Sequence, residues 1–412
     1  MKNADLKIFE LSSKYERDNI KLGLSRIKKA LQKLGNPCEN IPAIQIIGTN
    51  GKGSIAAYLE SILFEAKKDF GVTTSPHLFD VCERIRINKK NINKTDFEKI
   101  YKLIETKFST FELTPFEKII CCALNFFDNK KVELLILEAG LGGRLDATTA
   151  HKSRPIIAIG NIGLDHKEFL GDTIEEIAKE KLAVIEQNSI VISCNQNSKV
   201  ENLITKKVKE VGAKIIWKDS ISNSYELGLN GVFQKQNASV AVGAIEALNN
   251  LGFDIKEKNI YEGLKKTAWH GRLEIINYFN KEILVDCAHN YPAAKALSNE
   301  RSNWENEDKG IYWILGVQRQ KDIYAILKTL LKKNDHLLLV PVPNQTSWKL
   351  NDLSEIKEID FQKTIEFKTF ELAIEYLFSL EKWPTNHPVI TGSIFLVAEF
   401  IKFANIKRNI KD

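Results

Sequence analysis

The chain has 412 residues, of which 43% are hydrophobic and 27% are charged. This length exceeds the size at which one hydrophobic core usually keeps growing, so we expect two domains with the composition of a soluble globular protein. The net charge of +6 is spread as mixed Lys and Glu without a long basic stripe, which excludes a typical nucleic-acid-binding surface.

The N-terminus and the cysteines indicate a cytoplasmic protein. The opening segment MKNADLKIFELSSKYERD is charged throughout and lacks the apolar core of a signal peptide, and no later stretch reaches transmembrane length. The six cysteines are scattered without CxxC spacing, so we expect neither disulfides nor zinc. We therefore expect no membrane partner and no nucleic-acid partner.

Short apolar runs alternate with amphipathic stretches in the first part of the chain. The apolar runs predict strands over 43–48, 133–140, 156–163 and 190–194. The amphipathic stretches predict helices over 54–66, 114–127 and 174–186. This alternation is typical of a parallel sheet with helices on its faces.

A second set of elements follows residue 272. Strands are predicted over 282–290, 311–317, 336–343 and 387–393, with a helix over 291–304. The segment Trp269-His270-Gly271-Arg272 lies between the two sets, so we predict a hinge there. The sequence thus predicts one domain over 1–272 and a smaller one over 273–412.

The strongest local signal is the glycine-rich stretch GTNGKGS at Gly48–Ser54, between a predicted strand and a predicted helix. Glycines let consecutive N–H groups approach phosphate oxygens, the helix N-terminus adds positive potential, and Lys52 supplies a mobile charge. The spacing departs from the usual P-loop, and the alternative is a tight turn with an incidental lysine. We favour a triphosphate-binding loop formed by Gly51, Lys52, Gly53 and Ser54.

Two further side chains could hold a metal ion. Glu138 ends one predicted strand and His166 follows another, and ligands of open α/β sheets bind at that edge. Mg²⁺ needs few protein ligands, because it keeps waters and takes substrate phosphate oxygens. The alternative is that Glu138 caps the glycine-rich turn after it and that His166 satisfies a loop carbonyl.

Several short blocks occur in an order that is far more specific than any one of them. They are Gly48–Ser54, Ser75–Leu78, Glu83–Ile87, Glu138–Thr148, His270–Arg272, Asp286–Asn290 and Thr391–Ser393. Together they resemble the folylpolyglutamate synthase and dihydrofolate synthase family of the Mur ligase superfamily. The resemblance runs nearly from end to end.

The resemblance implies an α/β fold in which a P-loop-type parallel-sheet ATPase domain precedes a smaller Rossmann-like domain, with ATP at their junction. It implies an ATP-dependent ligase that adds L-glutamate to dihydropteroate, to reduced folates, or to both, through an acyl phosphate. The expected partners are these small molecules, and a monomer is expected. The alternatives are another amide ligase of the superfamily, acting on cell-wall precursors, and a nucleotide-binding protein that has lost catalysis.

The resemblance also implies a role for each candidate residue. The expected ligands of one or two Mg²⁺ ions are Ser75, Glu138 and His166. The expected ATP contacts are Gly51, Lys52, Gly53, Ser54, Asn237, Arg272, Asp286 and His289. The expected pterin contacts are Thr114, Phe116, Leu145, Asp146 and Ala147.

The resemblance also implies catalytic roles, and Lys181 and Phe116 each have an alternative interpretation. Lys52, His166 and Lys181 are the expected catalytic residues, and Lys181 resembles a lysine that is carbamylated in the family. The alternative for Lys181 is an ordinary ammonium paired with Glu180 or Glu176. Phe116 could stack on a flat heterocycle or serve as a core phenylalanine at a helix start.

Overall fold

The computed structural model describes residues 20–304, 309–353, 359, 361 and 363–409. The chain divides into two compact units. The first unit comprises the residues up to Gly228 and Phe233–Ala268, and the second comprises Leu229–Val232 and the residues from Trp269 onward. The domain boundary after Arg272 stays a prediction.

A mixed sheet forms the centre of the first unit. Its strands are β1 (Ala43–Ile47), β2 (Phe70–Thr73), β3 (Ile85–Ile87), β4 (Lys90–Asn91), β5 (Leu134–Glu138), β6 (Ile156–Ile159), β7 (Ile190–Cys194) and β8 (Lys214–Lys218). They lie in the order β4-β3-β2-β5-β1-β6-β7-β8, and all neighbours are parallel except the β2–β3 and β3–β4 pairs. Strand β1 is therefore central, with β5 on one side and β6 on the other.

The central strands are rich in apolar side chains, which allows both of their faces to be buried. Strands β1, β5 and β6 are buried along their whole lengths, and such strands read as nearly continuous apolar runs. Ile46 of β1 pairs with Glu138 of β5, and Ile47 pairs with Ile159 of β6. The carboxyl ends of the three strands thus lie side by side.

Helices cover this sheet. Those that begin before residue 268 are α1 (Ser25–Lys33), α2 (Lys52–Glu65), α3 (Lys94–Lys107), α4 (Pro115–Lys130), α5 (Lys167–Leu170), α6 (Ile174–Leu182), α7 (Ser198–Val211), α8 (Val232–Asn250) and α9 (Glu257–Lys265). A capping box between Thr114 and Glu117 begins α4, and one between Thr173 and Glu176 begins α6. Each box satisfies backbone N–H groups that have no partner inside the helix.

The second unit is a smaller α/β unit. Its strands are β9 (Glu274–Tyr278), β10 (Lys281–Val285), β11 (Tyr312–Leu315), β12 (His336–Leu339), β13 (Lys363–Glu366) and β14 (Val389–Thr391). Its helices are α10 (Tyr291–Glu300), α11 (Ile323–Leu330), α12 (Phe370–Phe378) and α13 (Ile394–Asn409). The strand order is β13-β12-β11-β14-β10-β9, and only β9 runs antiparallel to its neighbour. The predicted α/β fold with two parallel-type sheets is confirmed.

The helices and the cysteines can be compared with what the sequence predicts about a membrane and about disulfides. In the part of the chain that the structure describes, no helix is both long and apolar enough to cross a membrane. All six cysteines are free and buried. Burial raises the pKa of the Cys121 and Cys38 thiols to about 12, so these thiols are protonated at neutral pH and act as small apolar side chains.

Candidate active site

The glycine-rich loop joins the end of β1 to the start of α2. Gly51 has φ 86° and is the residue before the helix, a left-handed conformation that favours glycine. The side chain of Lys52 lies over the loop, where its Nζ donates to the carbonyl oxygens of Gly48 and Thr49, both over 3.3 Å. The positive end of α2 and the ammonium of Lys52 therefore lie at the same turn.

The loop is held against the chain that follows β6. The Thr49 backbone N–H donates to the Asn161 carbonyl over 2.7 Å. The Thr49 hydroxyl donates to the Gly163 carbonyl over 2.9 Å and accepts from the Gly163 N–H over 3.0 Å. These bonds fix the loop before any ligand arrives, which lowers the entropy cost of binding.

Asn237, which the resemblance implies as an ATP contact, lies directly against the loop. A Cβ atom added at Gly51 would be 2.4 Å from Asn237 Oδ1. Asn237 Nδ2 donates to Gln234 Oε1 over 2.9 Å, and Gln234 Nε2 donates to Ser54 Oγ over 3.3 Å. Sequence reasoning missed Gln234, although its spacing of three residues from Asn237 places both on one helix face.

Lys181 of α6 reaches the same loop. Its side chain is buried, and its Nζ donates to the Gly48 carbonyl over 3.0 Å. Burial lowers the pKa of Lys181 to about 7; the charge of Lys52 lowers it too, while Asp165 and Asp146 oppose the shift. A substantial fraction of this amine is therefore neutral at neutral pH.

The alternative that Lys181 forms an ion pair with a neighbouring glutamate is wrong. Glu180 instead pairs with Arg144 over 2.9 Å. Glu176 accepts from the backbone and the hydroxyl of Thr173 at the start of α6. The only hydrogen bond of the Lys181 ammonium in the described chain is the one to the loop.

Two of the three candidate metal ligands are in contact. The Ser75 N–H donates to Glu138 Oε2 over 3.1 Å, and Glu138 is only 4% exposed. His166 lies in the loop after β6, where its backbone N–H donates to Asp165 Oδ1 over 2.9 Å. Sequence reasoning missed Asp165, and its position beside His166 was the available signal.

The donor set fits a hard divalent cation. Glu138 and Ser75 offer oxygen atoms, which Mg²⁺ prefers, and an imidazole is an accepted additional ligand for related divalent ions. Within the described ranges, no group of three or more His, Cys, Asp and Glu side chains could hold a metal. This arrangement suits an ion that takes most of its ligands from water and phosphate, because Mg²⁺ is seldom enclosed by protein groups alone.

The candidate pterin residues meet at the loop after β5. A Cβ atom added at Gly140 would be 2.8 Å from Cζ of the half-buried Phe116 ring. The N–H groups of Gly140 and Leu141 donate to Asp146 Oδ2 over 2.8 and 2.9 Å. Phe116, which opens α4, and Asp146 are therefore brought to one short segment of backbone.

The other candidate pterin residues flank these two. Thr114 caps α4 with its hydroxyl, which accepts from the Glu117 N–H over 3.2 Å. Leu145 is half-buried and Ala147 is buried. Asp146 is buried as well, and burial raises the pKa of its carboxyl group, while hydrogen bonds from Thr148 oppose the shift.

In the second unit, three candidate residues gather near the end of β10. Asp286 is 6% exposed and accepts from the N–H groups of Leu273 and Ala288 over 3.1 and 2.8 Å. Burial raises the pKa of Asp286, and the positive charge of Arg272 opposes this. His289 Nδ1 lies 2.8 Å from the Cys287 carbonyl oxygen. A cation, a carboxylate and an imidazole thus share one strand end.

Comparisons with known proteins identify the family. Residues 46–226 match the model of the Mur ligase middle domain, and residues 272–403 match the model described as dihydrofolate synthetase, C-terminal domain. The dihydrofolate synthetase of Saccharomyces cerevisiae is 32% identical over 423 residues, which cover 94% of this chain and 98% of the yeast protein. The chain belongs to the dihydrofolate synthetase family.

Two further relatives extend this family assignment. The dihydrofolate synthase/folylpolyglutamate synthase of Buchnera aphidicola subsp. Acyrthosiphon pisum is 32% identical, over 92% of this chain and 93% of that protein. The bifunctional enzyme of Yersinia pestis, solved in complex with AMPPNP and a Mn ion, is 25% identical with a TM-score of 0.82 over 94% of each chain. The predicted membership of the folylpolyglutamate synthase and dihydrofolate synthase family is confirmed.

Proposed function

We propose that the protein is a dihydrofolate synthase, an ATP-dependent ligase that joins the amine of L-glutamate to the carboxyl group of dihydropteroate. The leading observation is that β5, β1 and β6 end side by side. This places Glu138, the loop with Lys52, and the segment leading to His166 at one sheet edge. The match of residues 272–403 to a dihydrofolate synthetase model supports dihydropteroate as the acceptor, and the bifunctional relatives favour reduced folates as a second class of acceptor.

The reaction needs ATP, because a carboxylate does not react with an amine at neutral pH. A carboxylate oxygen of dihydropteroate attacks the γ-phosphorus, the bond to the β,γ-bridging oxygen breaks, and ADP leaves. The glutamate amine then attacks the acyl carbon, phosphate leaves, and the amine loses a proton. Positioning and charge neutralisation dominate the catalysis of such phosphoryl transfers, and Lys52 supplies positive charge beside the phosphates.

A divalent cation would be held by Glu138, Ser75 and His166, and would neutralise charge on phosphate oxygens when bound. The Mn ion and the ATP analogue in the Yersinia pestis enzyme support this proposal. One or two Mg²⁺ ions are proposed for this chain. Arg272, Asp286 and His289 are proposed as further contacts to ATP.

Carbamylation of Lys181 is a second part of the proposal. Only a neutral amine reacts with CO₂, and burial lowers the pKa of Lys181 to about 7. The Nζ lone pair forms a bond to the carbon of CO₂ and one proton is released, which converts a cation into a carboxylate-like group. In buffer containing ¹³C-bicarbonate, a carbamate ¹³C signal is expected for the wild type and not for Lys181→Met. A wild-type spectrum without that signal would reject the modification.

Parallel assays of ADP formation test the proposed reaction. Glutamate is supplied with dihydropteroate, with tetrahydrofolate, or with a UDP-linked muramyl acceptor, and each assay is repeated without glutamate. ADP formation with dihydropteroate that requires glutamate is the expected result. If ADP forms only when the muramyl acceptor is supplied, the protein is a cell-wall ligase. If ADP forms with none of the three acceptors, the protein has lost catalysis. We also propose that the protein is cytoplasmic and monomeric, and light scattering after size exclusion would test the monomer.

A further inference from the structure

Gln45 is a polar residue in the middle of the central strand β1. The strand reads Ala-Ile-Gln-Ile-Ile, and Gln45 is 0% exposed. Burying an amide without hydrogen bonds costs about 2 kcal/mol or more. A glutamine at this position is therefore expected to hold specific partners.

The partners of Gln45 are all polar side chains from beyond β5. Its Oε1 accepts from Arg154 Nη1 over 2.7 Å. Its Nε2 donates to the hydroxyl oxygens of Thr148 and Thr149, over 3.0 and 2.8 Å. The amide thus joins β1 to the chain segment that runs from β5 to β6.

The direction of every hydrogen bond in this network is determined. Arginine can only donate, so Oε1 of Gln45 must face Arg154 and Nε2 must face the two hydroxyls. Because these hydroxyls accept from Gln45, each directs its own proton elsewhere. Thr148 donates to Asp146 Oδ1 over 2.6 Å, and Thr149 donates to the Gly143 carbonyl over 2.8 Å.

Arg154 is itself fixed in place. It is 6% exposed, and its Nε donates to the His151 carbonyl over 2.8 Å. Its Nη2 donates to Glu186 Oε1 over 2.6 Å. A guanidinium held at both ends sets the orientation of Gln45, and through Thr148 it sets the orientation of the Asp146 carboxylate.

We propose that Gln45 and Arg154 are positioning residues for the pterin substrate. Their hydrogen bonds fix the loop over 140–149, whose residues Leu145–Ala147 are candidate pterin contacts, so this inference rests on the proposed binding of dihydropteroate. Strand β1 then contributes to the sites of both ATP and the pterin. Its carboxyl end leads into the phosphate loop, while the side chain of Gln45 orders the pterin loop.

Two substitutions of Gln45 test the proposal. Gln45→Glu keeps the size and the acceptor for Arg154 but removes the Nε2 donor, so Thr148 can turn its proton away from Asp146. Gln45→Met keeps the length and removes every hydrogen bond. Both variants are expected to raise the Kd and the KM of dihydropteroate about tenfold, because a buried hydrogen bond that orients the charged Asp146 carboxylate is lost. The Kd is measured by pterin fluorescence. The KM for ATP is expected to stay unchanged.

A matched control and a second variant make the test decisive. Ser193 is 0% exposed in β7 of the same sheet, and its hydroxyl donates to the Cys194 carbonyl over 2.9 Å. Ser193→Ala also removes a buried polar group and is expected to leave the affinity for dihydropteroate unchanged. If the Gln45 variants fail to fold, Thr148→Val replaces them. Valine has nearly the shape of threonine and removes only the hydroxyl between Gln45 and Asp146, so the same loss of affinity for dihydropteroate is expected.

Three results would overturn the inference. One is wild-type affinity for dihydropteroate in folded Gln45 and Thr148 variants. Another is a rise in the KM for ATP equal to that for dihydropteroate, which indicates a general loss of structure. A wild-type protein that does not bind dihydropteroate overturns both proposals, whereas one that binds it without forming ADP overturns the proposed function alone and leaves the Kd comparison to decide this inference.

Discussion

Lys52 and Lys181 donate hydrogen bonds to the same backbone oxygen, that of Gly48, over 3.3 and 3.0 Å. Two cations around one carbonyl repel each other, and the charge of Lys52 lowers the pKa of Lys181. An anionic phosphate group at this loop would offset the repulsion, as would conversion of one lysine into a carbamate. The geometry thus links the proposed nucleotide site to the proposed modification.

Lys52→Ala is expected to reduce ADP formation about a hundredfold or more, since loss of one well-placed donor to a developing charge has an effect of this size. Stability should change little, because the two bonds of Lys52 run to carbonyls of its own loop. A coupled ADP assay and urea unfolding measure the two effects. The matched control is Lys206→Ala, whose side chain is 72% exposed. Near wild-type turnover of Lys52→Ala would contradict the role of this lysine.

The depressed pKa of Lys181 predicts a pH-dependent effect on stability in CO₂-free buffer. Between about pH 7, the pKa in the folded state, and 10.5, the ordinary value, the unfolded chain binds one more proton than the folded chain at this residue. The free energy of unfolding therefore gains a contribution from Lys181 that rises with pH across this window.

Lys181→Met removes that contribution. The free energy of unfolding of the variant minus that of the wild type should be largest below about pH 7. This difference should fall progressively as the pH rises to about 10. Urea unfolding at about pH 6.5, 8 and 9.5 measures the difference. If the difference in the free energy of unfolding between the two proteins does not vary with pH, the pKa of the Lys181 amine is not lowered in the folded protein.

Sequence patterns predicted the parts of the fold in which local chemistry and burial agree. Strands β1, β5, β6 and β7 are apolar runs, and the loop at Gly48–Ser54 carries its own glycines and lysine. The patterns do not predict β2, which is buried but only four residues long, and they miss several strands at or near the sheet edges. Strand β8, for example, reads KIIWK and is at most half-buried, so a surface segment could have the same pattern.

Long-range polar contacts could not be predicted from the sequence. Gln45 was read only as a member of an apolar strand, because its partners Thr148 and Arg154 lie 103 and 109 residues further along the chain. The contact between Ser75 and Glu138 likewise spans 63 residues. The family resemblance supplied that pair, whereas local patterns alone supplied only Glu138.

Gly51→Ala tests how closely the phosphate loop and Asn237 fit. The added Cβ would lie 2.4 Å from Asn237 Oδ1 and would occupy a residue with φ 86°. The left-handed backbone alone costs about 1–2 kcal/mol for an L residue. We expect a loss of stability of at least that size and a higher KM for ATP.

The double variant Gly51→Ala/Asn237→Ala separates the two causes. Removing the Asn237 amide relieves the close contact and leaves the backbone strain, so stability should recover only in part. Gly252→Ala is the control for the backbone term, since Gly252 also has positive φ, 93°, and an added Cβ there meets nothing within 4 Å. Equal losses of stability for Gly51→Ala and Gly252→Ala would show that the contact with Asn237 is unimportant.

The buried ion pair between Arg86 and Glu60 connects the phosphate-loop helix to the segment that carries Ser75. Both residues are nearly buried, and Arg86 donates from Nε to Oε1 over 3.0 Å and from Nη2 to Oε2 over 2.9 Å. Arg86 Nη1 also donates to the Thr74 hydroxyl over 2.9 Å. Thr74 directly precedes Ser75, whose N–H is bonded to Glu138.

Arg86→Met is expected to lower the free energy of unfolding by about 3–5 kcal/mol, because it leaves the Glu60 carboxylate buried without its ion-pair partner. Arg86→Met/Glu60→Met should recover most of this stability, since well-packed apolar residues often replace a buried pair at little cost. Activity should not recover with it, because the Thr74 hydroxyl still lacks its donor and the Ser75 segment loses a constraint. Urea unfolding and the ADP assay on both variants measure these effects. The control for a surface ion pair is that of Lys199, which is exposed, with the partly exposed Glu175. Full recovery of ADP formation in the double variant would show that the pair stabilises the unit without positioning Ser75.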